Sequence, residues 1–230
     1  MYFNIPIAAM LVVSFYLGCN SSKDWCCMFS FFYLSFCFQL KSEDEYKFDC
    51  ALYGGSLKWV SSCRYLGVFL ISARSFKCSF DQEKAKYFRA FNSIYGKVSC
   101  STTEDIIITL LKTKCLPVIL YATEACPILS RDMQSLEFAV TRSFMKIFHS
   151  GSSWVIAECQ KNFNFVRIKH QIAIRTAKFL RAFSASENIV CSVFCRHATS
   201  QLNGLFSSYG EQIHTVSQLI DVVCDLSDFQ

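Results

Sequence analysis

The stretch Cys63-Arg64-Tyr65-Leu66-Gly67-Val68, taken with what lies on either side, decides how this chain is read. Before it, residues 48–60 read as strand, turn, strand, with Gly54-Gly55 at the turn because glycine accepts positive φ without strain. Residues 64–72 read as a second strand-like run carrying Tyr65, Leu66, Val68, Phe69, Leu70 and Ile71, which completes a short β-hairpin. Residues 74–80 read as a polar connection. Beyond them the apolar spacing becomes helical.

Ser79 or Asp81 caps a helix that runs to about Lys97, with Ala85, Phe88, Phe91 or Asn92, and Tyr95 on one face. Ser101-Thr102-Thr103-Glu104 offers an N-cap and an acidic first turn to a helix bearing Ile107, Leu110, Leu111 and Lys114. Pro117 interrupts that helix, and residues 118–126 continue as an apolar one. Ser130 or Asp132 caps the next helix, with Leu136, Val140, Phe144 or Met145, and Phe148 at core spacing. A Ser/Gly linker over 149–153 and a fourth helix over about 164–185 follow. After Ala198 the signals weaken, apart from a short terminal helix over 216–226.

The fold class expected is mainly α with a small β-hairpin. The domain reading is a hydrophobic segment over 1–40, linker and hairpin over 41–80, a helical bundle over 81–190 and a weakly structured tail over 191–230. Composition agrees with a packed core. The 230 residues are 52% hydrophobic, with 23 Phe and 10 Tyr, which argues against disorder. Only 8 Gly and 3 Pro argue against a turn-rich all-β fold. The 14 cysteines are scattered through helix-like segments, where a free Cys packs as a small hydrophobe. Their spacing does not suit zinc: Cys26-Cys27 is an adjacent pair, and Cys191-x3-Cys195 lacks a matching second pair.

Residues 1–40 admit three readings. The apolar run over 5–17 has the length of a signal h-region but no Lys or Arg before it. Two runs of this kind suggest a membrane hairpin, each short of the roughly 20 residues a span needs. A Phe/Cys/Ser-rich stretch without a clear period also suits a damaged remnant of upstream coding sequence.

The net charge of +5 is modest, but residues 139–181 hold eight Lys/Arg against one acid, Glu158. Within them Arg167, Gln171, Arg175, Lys178 and Arg181 recur every three or four residues. That puts them on one side of a helix, away from Ile168, Ile172, Phe179 and Phe183. Such a stripe suits a polyanion; it also suits an ordinary solvated face. No nucleophile elbow, phosphate loop or dinucleotide fingerprint accompanies the four histidines. His149 reads as a helix C-terminal cap.

The order of Arg64-Tyr65-Leu66-Gly67, Phe91-Asn92-Ser93-Ile94-Tyr95-Gly96-Lys97-Val98, Lys114-Cys115-Leu116-Pro117 and Tyr121-x-x-Glu124-Ala125-Cys126 resembles the segment after the catalytic palm of non-LTR retrotransposon reverse transcriptases. The resemblance covers about residues 48–165. It implies a palm-end hairpin that holds a primer's 3′ end through Arg64, Tyr65, Leu66 and Gly67, followed by a thumb-like helical bundle. It also tips the reading of the basic stripe beyond the covered stretch toward nucleic-acid contact, with Arg167, Arg175, Lys178 and Arg181 as the candidate residues. The full family is an RNA-directed DNA polymerase, whose paired aspartates hold two metals. The acids before the hairpin here, Asp24, Glu43, Asp44, Glu45 and Asp49, form no such turn.

The expectation is therefore a truncated, reverse-transcriptase-derived protein without the catalytic palm, binding an RNA/DNA hybrid at most. Magnesium is expected only for an intact polymerase, and the place is the nucleus or cytoplasm. The alternative is a small membrane-associated protein anchored by residues 1–40.

Overall fold

The computed structural model describes residues 51–52, 55–56, 61–73, 77–99 and 101–228. The readings of residues 1–40, the linker over 41–47 and the Gly54-Gly55 turn fall wholly or partly outside them. The described residues form a mainly helical fold with a small antiparallel sheet. They fall into two compact units, one of strands up to Ser79 with Ala125–Pro127, the other of helices over Phe80–Glu124 and from Ile128 onward.

In the strand unit, β1 (Ala51–Leu52) pairs with β2 (Gly55–Ser56). The main sheet has the order β3 (Ser62–Tyr65), β4 (Val68–Ile71), β5 (Lys77–Ser79). Two sequence expectations are corrected here. Residues 64–72 are not one strand: they break at Leu66-Gly67, where φ is 45° and 84°. Tyr65 pairs with Val68, so the loop has two residues. Positive φ at both central positions is the type I′ pattern, whose twist matches the flanking strands. Gly67 meets that requirement at no steric cost. The second correction is the polar connection over 74–80, which contributes β5 and makes the hairpin a three-stranded sheet. Val68 and Cys78 are its buried positions.

The helical unit begins with α1 (Asp81–Val98), whose buried face carries Glu83, Tyr87 and Phe91 at a four-residue interval. Next come α2 (Glu104–Leu110), a π turn over Leu111–Cys115 and the single turn α3 (Leu116–Ile119). Pro117 has no N–H to give residue 113, and the ladder widens just before it: Leu116 N–H bonds Leu111 C=O, five residues back. The apolar helix expected over 118–126 stops at Ile119. Ala122 turns left-handed with φ 57°, and Thr123 Oγ1 donates to Leu120 C=O at 2.8 Å.

Helix α4 (Ser130–Ile147) buries Leu136, Ala139, Val140, Ser143, Phe144 and Ile147. It ends with His149 at φ 50° while Ser150 N–H reaches Met145 C=O at 3.2 Å, a Schellman stop of the kind read from the sequence. The next helix, α5 (Ser153–Asn162), fills the stretch between the Ser/Gly linker and the helix expected from about 164, where the sequence predicts no element. Only Ile156 of it is buried and Trp154 is 73% exposed, so it shows little apolar periodicity. It stops in the same way: Asn164 has φ 47° and Phe165 N–H bonds Gln160 C=O at 2.8 Å.

Helix α6 (Ile168–Ser184) is followed by α7 (Ile189–Ser207) and α8 (Val216–Asp228). The terminal helix expected over 216–226 is present as α8, whereas the weakly structured stretch before it is corrected to α7, which the boundary at 190 cuts through. Both helices pack on α6. Ala177 of α6 shares a buried cluster with Phe206, Ile213, Val216, Leu219 and Val223. The signal was weak because α7 has apolar residues on its outer side too: Ile189 and Val193 are 65% and 69% exposed.

Candidate nucleic-acid interface

The two sets of candidate residues lie in different units. Arg64, Tyr65, Leu66 and Gly67 belong to the β3–β4 hairpin, with Leu66 and Gly67 forming its turn. Arg64 is exposed, while Tyr65, Leu66 and Gly67 are half-buried. The four residues thus form a tight turn with a cation on the strand that enters it.

The other set sits on α6. Ile168, Ile172, Ala173, Ala177, Leu180 and Phe183 make its buried face, and Phe179, expected among them, is half-buried at the margin. Arg167, Lys178 and Arg181 are exposed. Arg175 is not part of the open stripe. Its position on the helix borders the buried face, and its guanidinium meets Glu124 in two bonds, Nε to Oε2 at 3.2 Å and a terminal nitrogen to Oε1 at 3.0 Å. A fork on a carboxylate is a strong, directional pair. Arg175 thereby ties α6 to the turn after α3. Gln171 is likewise turned inward, donating to Val166 C=O.

The N-terminus of α6 is also taken. Glu137 of α4 accepts the Lys169 N–H through Oε1 at 2.8 Å, putting a carboxylate where the helix dipole is positive. A phosphate seeking α6 therefore meets Lys178 and Arg181 along its exposed side. Neither side chain makes a hydrogen bond or ion pair among the described residues.

His170 lies on the inner side of this region. Its Nδ1 is 3.0 Å from Tyr209 Oη, with the rings edge to face. Burial, then Lys169 and Arg167, hold its pKa below the ordinary imidazole value. Burial raises the Tyr209 phenol. The pair is a packing contact between α6 and the turn after α7.

Sequence reasoning passed over a groove between α1 and α4. Arg142 and Lys146 stand one turn apart on α4, and Phe88, Phe91 and Asn92 face them from α1. The only sequence signal was their membership in the basic stretch over 139–181. Other cations are spent on structure. Lys112 donates to the C=O groups of Phe163 and Asn164 at 2.7 and 3.2 Å, closing the end of α5, and burial lowers its pKa. Lys84 joins Asp81 and Ser135, each at 2.8 Å.

No group of three or more His, Cys, Asp or Glu side chains converges among the described residues. These residues therefore do not form the carboxylate cluster that two-metal polymerase chemistry needs. No helix among them is long and apolar enough to cross a membrane. Comparison of the chain with protein-family models, with curated proteins and with solved structures yields no match.

Proposed function

We propose that this chain is a reverse-transcriptase-derived protein of the non-LTR retrotransposon kind whose activity is to bind nucleic acid, with an RNA/DNA hybrid as its partner. The observation that carries this reading is the outer side of α6. Arg167, Lys178 and Arg181 are exposed there, while Arg175 is held by Glu124 and fixes the helix that presents them. Cations on a rigid helix track a phosphate backbone and release its counterions on binding. The Arg64–Gly67 hairpin, as a primer grip, is the second contact. Binding of this kind requires no magnesium, which belongs to an intact polymerase. The reading places the chain inside the cell, in the nucleus or cytoplasm.

A filter-binding titration with an RNA–DNA hybrid tests it. Saturable binding at low salt, weakening steeply as salt rises, is the expected result. No affinity at low salt refutes the proposal.

A further inference from the structure

We infer that the groove between α1 and α4 is a binding site for a nucleoside phosphate, with the phosphate between Arg142 and Lys146 and the base over Phe88 and Met145. The inference goes beyond the α6 reading and shares no residue with it.

The groove is partly open to solvent and offers about 590 Å³, a size within the range of small-molecule sites. Its walls come from two long helices whose register is fixed below it. Buried Tyr87 of α1 donates its hydroxyl to Ser143 of α4 at 2.8 Å, and Tyr95 Oη donates to Lys146 C=O at 3.1 Å. The site is therefore built on rigid elements.

Its charge is one-sided. Arg142 and Lys146 are a like-charged i, i+4 pair, an arrangement that destabilises a helix unless something offsets it. No acid stands among the lining residues. Lys146 is held for the task rather than neutralised. Its ammonium donates to Asn92 Oδ1 at 2.9 Å and lies 4.9 Å from the Tyr95 ring centre and 5.9 Å from that of Phe91. Those contacts aim the charge and leave it intact. Arg142 is similarly propped, 6.0 Å from the ring of exposed Phe138. Two oriented cations one helical turn apart suit one multidentate oxyanion.

The remaining lining is three apolar side chains with Asn92 and Ser143, whose oxygens already accept from Lys146 and Tyr87. Phe91 forms the buried floor, and Phe88 and Met145 are half-buried beside it. A free phosphate gains nothing from such a floor. A planar base packs on the half-buried Phe88 and Met145, which adds affinity without base-specific bonds. Anion and aromatic surface together point to a nucleoside phosphate rather than to either part alone.

The test is a calorimetric or NMR titration of the full chain with AMP, with adenosine and with inorganic phosphate at low salt. AMP is expected to bind saturably with a Kd below about 1 mM, and more tightly than phosphate or adenosine. Arg142→Gln with Lys146→Gln, both at exposed positions, is expected to weaken AMP by about tenfold or more. Phe88→Leu keeps apolar bulk should the groove be sensitive to truncation, and it is expected to weaken AMP while leaving phosphate unchanged. Circular dichroism confirms that each variant is folded. Failure of AMP to bind, equal affinity for AMP and phosphate, or unchanged AMP affinity in the double variant overturns the inference.

Discussion

Between α1 and α4 the contacts are directed and polar around an aromatic spine. Tyr87 bonds Ser143, Lys84 bonds Ser135, Lys146 bonds Asn92, and Tyr95 bonds the Lys146 carbonyl. Between α6 and α8 the contact is an apolar cluster around Ala177, Leu219 and Val223, with His170–Tyr209 near its edge. Burial of apolar surface stabilises without choosing a register, whereas directed hydrogen bonds, above all the buried one between Tyr87 and Ser143, choose one. The first region is thus suited to hold a shaped groove. The second is suited to anchor α6, whose outer cations then stand on a fixed base.

The largest effects come from the two cores. Phe144 is fully buried, with its ring 4.8 Å from that of Phe165. Phe144→Ala is expected to cost about 3–5 kcal/mol, and Leu219→Ala, at another fully buried position, about 2–5 kcal/mol. Urea denaturation measures both. If Leu219→Ala leaves the midpoint unchanged, the α6–α8 cluster is not the anchor described.

A smaller effect separates structural from binding arginines. Arg175→Met removes a half-exposed bidentate pair and is expected to lower stability by about 1 kcal/mol. Its affinity for a hybrid should hardly change. A loss of affinity equal to that of Lys178→Gln would restore Arg175 to the binding stripe.

Tyr87→Phe tests the directed bonding of the first region. It deletes the bond to Ser143, whose hydroxyl lies 3.5 Å from the Ala139 carbonyl. The expected cost is about 1 kcal/mol. A neutral result in thermal unfolding would show that apolar packing alone sets that interface.

The smallest effect is one of pH. The folded state holds the His170 pKa below its ordinary value, so the unfolded chain takes up the proton first as pH falls. The stability tied to neutral His170 is present in full above about pH 6.5 and is lost as pH drops toward the lowered folded value. His170→Gln should flatten that part of the stability profile. An unchanged slope in the variant would assign it to another group.

The parts legible in the sequence were those with a local cause. Amphipathic spacing marks α1, α4 and α6, whereas the turn at Leu66-Gly67 lay hidden inside an apolar, strand-like run. The illegible parts depend on partners far along the chain. Arg175 looks like its neighbours on a helical wheel, and only Glu124, 51 residues away, distinguishes it. Lys112 became a cap for α5 through a contact of the same reach. Helix α5 buries too little, and α7 exposes too much apolar surface, for periodicity to reveal either. The groove escaped notice because its walls, α1 and α4, are separated in sequence by the turns around Pro117.

The most direct test of the central claim is the salt dependence of hybrid binding in the intact chain and in the Lys178→Gln, Arg181→Gln variant. If those two side chains meet phosphates, the slope of log affinity against log salt should fall by about 2, roughly one for each cation removed. Stability should stay within about 0.5 kcal/mol, since both positions are exposed. An unchanged slope, with the protein folded and the hybrid still bound, would contradict the claim that the outer side of α6 is the nucleic-acid interface.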